Sequence, residues 1–80
     1  MITKPEIRFV EYLKGWSGSF HANLFDLIFS ADADNFRRIG EAFPDECEVV
    51  RKYRDERGYY VSIQERYANR TEDEKNSPGH

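Results

Sequence analysis

Apolar residues recur along most of this chain at spacings of three and four, the period of an amphipathic helix. In "TKPEIRFVEYLKG" they fall at Ile7, Val10 and Leu13, with Phe9 alongside. Thr3 and Glu6 bracket the start as a capping box, Pro5 suits the first turn, and Gly15 supplies the stop, which predicts a helix from about Lys4 to Lys14. The turn "GWSGS" follows, with Trp16 expected to lie back over the core and Ser19 to cap the next helix. From Phe20 to Ser30, Phe20, Leu24, Leu27 and Ile28 mark one face, and Phe25 and Phe29 mark a second. A helix this apolar all round belongs at the centre of a bundle or in an interface.

The stretch "ADADNFRRIGEAFP" starts and stops a short third helix. Asp32 is its N-cap, Asp34 sits in its first turn near the positive end of the helix dipole, and Phe36, Ile39 and Phe43 supply its apolar side. Pro44 pushes the residue before it out of the α region, which ends the helix near Ala42. Asp45-Glu46-Cys47-Glu48 then repeats the capping-box pattern, with Pro44 at the start of the new helix. Beyond it Val49, Tyr53, Tyr60, Ile63 and Tyr67 keep helical phase, with Glu56 as the polar member, straight through Gly58. Residues 45–68 therefore read either as one long helix or as two helices broken at Gly58; "YYVSI" as a strand has suitable residue types but no obvious partner strand. The expected fold is all-α: a compact bundle of four to five short helices over residues 1–68, followed by a disordered polar tail over 69–80.

At 80 residues the chain can form one core, and about 60% of the unfolded surface is the most it can bury. Packing can extend across a subunit interface, so a homodimer is one expected outcome. The single cysteine, Cys47, excludes an intramolecular disulfide and fits a reducing compartment. The first residues intersperse Lys4, Glu6, Arg8 and Glu11 among apolar ones, unlike a signal peptide, and "LFDLIFSA" is too short to span a bilayer. The expected location is the cytoplasm, without membrane contact. The match of Asn69-Arg70-Thr71 to a glycosylation acceptor reads as chance in that compartment. The net charge of −3 is uneven: residues 1–50 carry −4, residues 51–70 carry +3 and residues 71–80 carry −2. That is not the overall footprint of a nucleic-acid binder, although the local basic segment leaves the option open.

Candidate chemistry is sparse. A calcium loop needs a run of oxygen ligands and a turn glycine, but Phe36 and Arg37 follow Asp32 and Asp34 where these should stand. His21 and His80 are remote from each other, and Cys47 has no companion at ligand spacing, so no metal or cofactor is expected. Cys47 and His21 are the only conceivable thiol and imidazole pair, and flanking carboxylates disfavour the thiolate. No enzyme is expected.

Binding surfaces are better represented. The second and third helices imitate a helix-turn-helix with Arg37 and Arg38 at the start of the latter, but Phe36, Ile39 and Phe43 leave that helix few side chains to read bases. A second basic cluster, Arg51, Lys52, Arg54 and Arg57, interleaves Tyr53 and approaches Tyr59 and Tyr60, a composition that can track a phosphate backbone or anchor a protein interface. Glu48 to Lys52 and Lys52 to Glu56 are four apart, so part of that charge is expected to be paired internally.

The pattern from Ser19 to Tyr60 resembles small uncharacterised accessory proteins of bacteriophages and integrated mobile elements. They share its "LF.LI" helix, "AD..N" turn and "FP.E" break before a tyrosine-bearing basic helix. The resemblance implies an accessory protein acting on a host or phage protein and transfers no site residues. The leading expectation is a non-catalytic protein-interaction module, adaptor or inhibitor-like. Its expected contact surface takes in Arg37, Arg38, Arg51, Lys52, Arg54, Arg57, Tyr59 and Tyr60. The alternatives are a nucleic-acid-binding accessory protein using Arg51 to Arg57, and an acidic inhibitor that mimics nucleic acid with the carboxylates of the first fifty residues.

Overall fold

The first helix, α1 (Lys4–Leu13), begins on the expected capping box: the Glu6 N–H donates to Thr3 Oγ1 at 3.3 Å, and the Thr3 N–H donates to Glu6 Oε1 at 3.0 Å. It ends on Gly15 at φ +78, where the Trp16 N–H donates to Glu11 O and the Gly15 N–H to Tyr12 O, the paired bonds of a Schellman stop. The computed structural model describes residues 1–70; of the tail expected to be disordered over 69–80, Asn69 is the C-cap of the last helix and residues 71–80 lie outside the described residues.

Four more helices follow: α2 (Ser19–Ser30), α3 (Ala33–Ala42), α4 (Pro44–Asp55) and α5 (Tyr59–Ala68). All five elements are α-helices, so "YYVSI" is helical and not a strand. Asp32 caps α3 as expected, accepting from the Asn35 N–H at 2.8 Å. Two caps differ from expectation. Gly18, not Ser19, occupies the N-cap of α2 and offers no side chain to it. Phe43, not Asp45, is the N-cap of α4, because it also closes α3 and leaves Pro44 as the first residue of the new helix. Asp45 and Glu46 instead sit in the first turn, where the helix dipole favours them.

Residues 45–68 do break at Gly58. Its φ of +84 is a left-handed conformation that side chains resist, and it lets α5 fold back beside α1 and α4. Helix α4 packs against all four others, and α1 additionally touches α2 and α5. Between them lie Phe9, Val10, Leu24, Phe25, Ile28, Cys47, Val49, Val50 and Ile63. Phe9 is the hub: its ring meets Phe25 and Tyr53 edge-on at 5.2 and 5.1 Å, and stacks near Tyr12 and Phe29.

The expected apolar faces need correction in two places. Trp16 does not cover the core; it is 67% exposed, with the Lys14 ammonium 5.3 Å from its ring centroid. On α2 only Leu24, Phe25 and Ile28 are buried, while Phe20 and Leu27 stand out at 62% and 54% exposure. A domain of this size cannot enclose the whole circumference of so apolar a helix.

Gly40 and Gly58 should respond oppositely to alanine. Gly58→Ala places a side chain in the left-handed region and should lower stability by about 1 kcal/mol. At Gly40, inside α3, an added methyl meets Cys47 at an ordinary 3.9 Å, so Gly40→Ala should raise stability by about 0.5–1 kcal/mol through helix propensity. Urea unfolding followed by circular dichroism measures both.

Candidate interaction surface

The last two turns of α4, the Gly58 turn and the first turn of α5 bring Arg51, Lys52, Arg54, Arg57, Tyr59 and Tyr60 into one region of the molecule, but not onto one uniform face. Helix periodicity sends Arg51 and Arg54 toward the α2–α3 turn, where they line a shallow cleft of about 380 Å³ with Ala31, Asp32, Ala33, Phe36 and Asp55. Lys52 points the other way, into a smaller cleft shared with Glu6, Asp45, Glu48 and Tyr59. A third cleft, about 390 Å³, opens at the α4–α5 corner and is lined by Tyr53, Arg54, Arg57, Tyr60 and Val61 together with Asp55, Glu56 and Gly58. Arg37 and Arg38, on α3, line none of the three.

Much of the basic charge faces carboxylates of the same surface. Arg51 donates through Nε and Nη2 to both Glu48 oxygens at 2.6 and 3.1 Å, and through Nη2 to Glu56 at 3.3 Å. Asp55 lies 4.0 Å from the same guanidinium. The hydrogen bond from Arg51 holds the Glu48 carboxyl below its ordinary range. The expected Glu48–Lys52–Glu56 ladder thus runs through Arg51 instead, whose planar fork satisfies several oxygens at once. Lys52 lies over the Tyr59 ring, 5.7 Å from its centroid. On α3, Arg37 pairs with Asp34 and Glu41, and Arg38 with Asp34.

Arg54 and Arg57, like Lys52, make no ion pair among the described residues. Arg54 is held in place all the same, donating to Phe29 O at 3.0 Å with its guanidinium carbon 5.3 Å from the Phe29 ring centroid. Beside them the Tyr53 and Tyr60 rings meet edge-on at 5.6 Å, and Val61 is 57% exposed. The α4–α5 corner thus combines two cations, two carboxylates, two aromatic rings and an exposed valine around one depression.

Tyr59 belongs elsewhere. Its hydroxyl donates to Glu6 Oε2 at 2.6 Å, and Arg66 grips the same carboxylate with both terminal nitrogens at 3.0 and 3.2 Å. Glu6 is only 6% exposed. Burial alone pushes its carboxyl up, but Tyr59, the Thr3 N–H and Arg66 outweigh that and hold it below its ordinary 4.5. Burial and the nearby carboxylate in turn push the Tyr59 hydroxyl well above its ordinary 10. This knot is absent from the sequence reading, which assigns Glu6 to capping alone. The only advance signal is an acidic residue in phase with the apolar stripe, three and four positions before Phe9 and Val10.

Cys47 is buried, and burial together with Glu46 pushes its thiol up, so the thiolate is disfavoured at neutral pH. Among the described residues no group of three or more His, Cys, Asp and Glu side chains converges on a metal position, and no helix is long and apolar enough to cross a membrane.

The Glu6 knot sets a pH dependence. A carboxyl whose pKa is lowered on folding stabilises the fold above about 4.5, and that contribution is lost as pH falls through the lowered value. Glu6→Gln should cost about 2–4 kcal/mol at pH 7 and flatten the loss of stability below pH 4.5 in urea titrations across pH. Tyr59→Phe should cost about 1.5 kcal/mol and keep the acid-dependent slope.

Compared with protein-family models, curated proteins and solved structures, the chain matches none, so the reading of this surface rests on its own geometry.

Proposed function

We propose that this chain is a non-catalytic protein-interaction module that engages its partner through the α4–α5 corner. The observation that carries the reading is the composition of that corner: Arg54 and Arg57 without an ion pair among the described residues, beside Tyr53, Tyr60 and Val61, with Asp55 and Glu56 in the same lining. Arginine and tyrosine are the usual anchors of protein interfaces: the tyrosine ring buries much area for little rotamer entropy, and the guanidinium offers a planar fork of donors. The fitting partner presents an apolar side chain flanked by polar groups that Arg54 and Arg57, and Asp55 and Glu56 beside them, can meet. An accessory protein of a phage or mobile element, acting in the cytoplasm on a host or phage protein, is the biological role in keeping with this surface and with the motifs of residues 19–60.

Two observations weigh against a nucleic-acid ligand. Glu48, Asp55 and Glu56 lie within the same surface as Arg51 and would face any phosphate that approached it. Arg37 and Arg38, the other basic pair, carry Asp34 and Glu41 beside them. An acidic mimic of nucleic acid has little support either, since Glu6, Asp26, Asp32, Asp34, Glu41 and Glu48 all have intramolecular donors.

Affinity capture from host lysate, compared across variants, tests the reading. Arg54→Glu combined with Arg57→Glu should lower recovery of specific partners at least about tenfold, equivalent to about 1.4 kcal/mol, whereas Arg37→Glu combined with Arg38→Glu should leave it unchanged. A short oligonucleotide should show no mobility shift at low salt; a shift abolished by the Arg54 and Arg57 changes would overturn the protein-partner reading in favour of nucleic acid.

A further inference from the structure

Helix α5 is attached differently from the other four. Among the described residues it joins the rest through the Glu56–Gly58 turn alone, where the positive φ of Gly58 reverses the chain, and it packs against α1 and α4. Its one fully buried side chain is Ile63, while Val61, Ser62, Glu65 and Ala68 face solvent. Helices α1, α2 and α4 each bury three side chains. Helix α3 buries none, but short connections to α2 and α4 tether it at both ends. The rest of the hold on α5 is polar: Tyr59 and Arg66 on the Glu6 carboxylate, and the Tyr67 hydroxyl donating to Glu11 at 3.4 Å. A rotation of the backbone at Gly58 therefore frees α5 without displacing any other helix.

We propose that α5 is a hinged flap: it opens about Gly58 as one unit while α1 to α4 remain folded, and the Glu6 carboxylate is the latch that holds it closed. Elements with few buried apolar contacts open before the rest of a domain, and α5 has one such anchor. The latch adds charge-assisted bonds, which hold only while the carboxyl is ionised. Its charged and titratable surroundings are Tyr59 and Arg66 of α5 and Asp45, Glu48 and Lys52 of α4, which line the cleft beside it. Arg66 and Lys52 favour the carboxylate, and Asp45 and Glu48 oppose it. A proton taken up by Glu6 removes the charge that Arg66 and Tyr59 grip, so acid opens the flap.

Opening also withdraws Tyr60 and Val61 from Tyr53 and Arg54, which takes the α4–α5 corner apart. That consequence for binding rests on the reading of the corner as the contact surface. The flap itself does not, and amide exchange reads it with no partner present.

Hydrogen exchange of the full chain, followed residue by residue by NMR, provides the test. The amides of Ser62 to Arg66 should share one protection factor, about tenfold or more below those of Phe9, Val10 and Val50. Tyr59→Phe, the milder change to the latch, should lower the α5 factor about tenfold. Glu6→Gln, which keeps a residue able to complete the capping box, should lower it about thirtyfold or more. Asp32→Ala removes the cap of α3, which is folded whether the flap is open or closed. It should lower protection at Phe9, Val10 and Val50 about fivefold and leave the α5 factor unchanged. As pH falls below about 4.5 the α5 factor should drop, and Glu6→Gln should remove most of that dependence. Protection in α5 equal to that of α1 and α4 overturns the proposal. So does an α5 factor that falls in step with them in Asp32→Ala, that ignores both latch variants, or that keeps its full acid dependence in Glu6→Gln.

Discussion

The carboxylate of Glu6 determines where the last helix lies. It is a buried charge, and a carboxylate can leave water only where donors replace the water it loses. Each of its oxygens receives two: Thr3 N–H and Arg66 at Oε1, Tyr59 and Arg66 at Oε2. One of these donors is Thr3, the N-cap of α1 itself, and the others come from α5, more than fifty residues later. Helix α5 gives the core one fully buried side chain, Ile63, with Tyr59, Tyr60 and Tyr67 packed around its edge. Apolar burial of that extent leaves the rotation of a helix loosely defined, whereas a hydrogen-bonded carboxylate accepts one arrangement of donors. The Gly58 turn makes the return possible, and Glu6 decides its register.

That placement has a consequence at the surface. With Tyr59 turned inward to Glu6, Tyr60 falls on the other side of α5 and meets Tyr53 of α4 edge-on. Val61 follows on the exposed side. The aromatic and basic corner is therefore a by-product of the interior knot: the bond that locks α5 in rotation also decides which tyrosine reaches the corner.

The features legible in the sequence were those whose physics is local. The Thr3–Glu6 box, the Asp32 cap, the Gly15 stop and the break before Pro44 each depend on residues within four or five positions, and each occurs where the pattern put it. The break at Gly58 stayed open because hydrophobic phase and glycine cost gave opposite answers, and only the packing of α5 on α1 and α4 decides between them. The features that were not legible depend on distant partners. Nothing near Glu6 in sequence announces Arg66 or Tyr59, and nothing near Arg51 shows that it, rather than Lys52, will collect Glu48 and Glu56. Trp16 and Phe20 look like core by residue type, yet the core is filled by Phe9, Phe25 and the residues around them before either is needed.

That surplus on α2 gives the exposed residues a common physical origin. A chain of this length has too little interior for twelve aromatic residues and the leucines and isoleucines between them, so some apolar surface must face outward. Scattered, it would need no explanation. Here Phe20 and Leu27 lie either side of buried Leu24 on one helix, because the neighbouring face of α2, Phe25 and Ile28, already fills the core beside Phe9 and leaves no interior for the rest of its circumference.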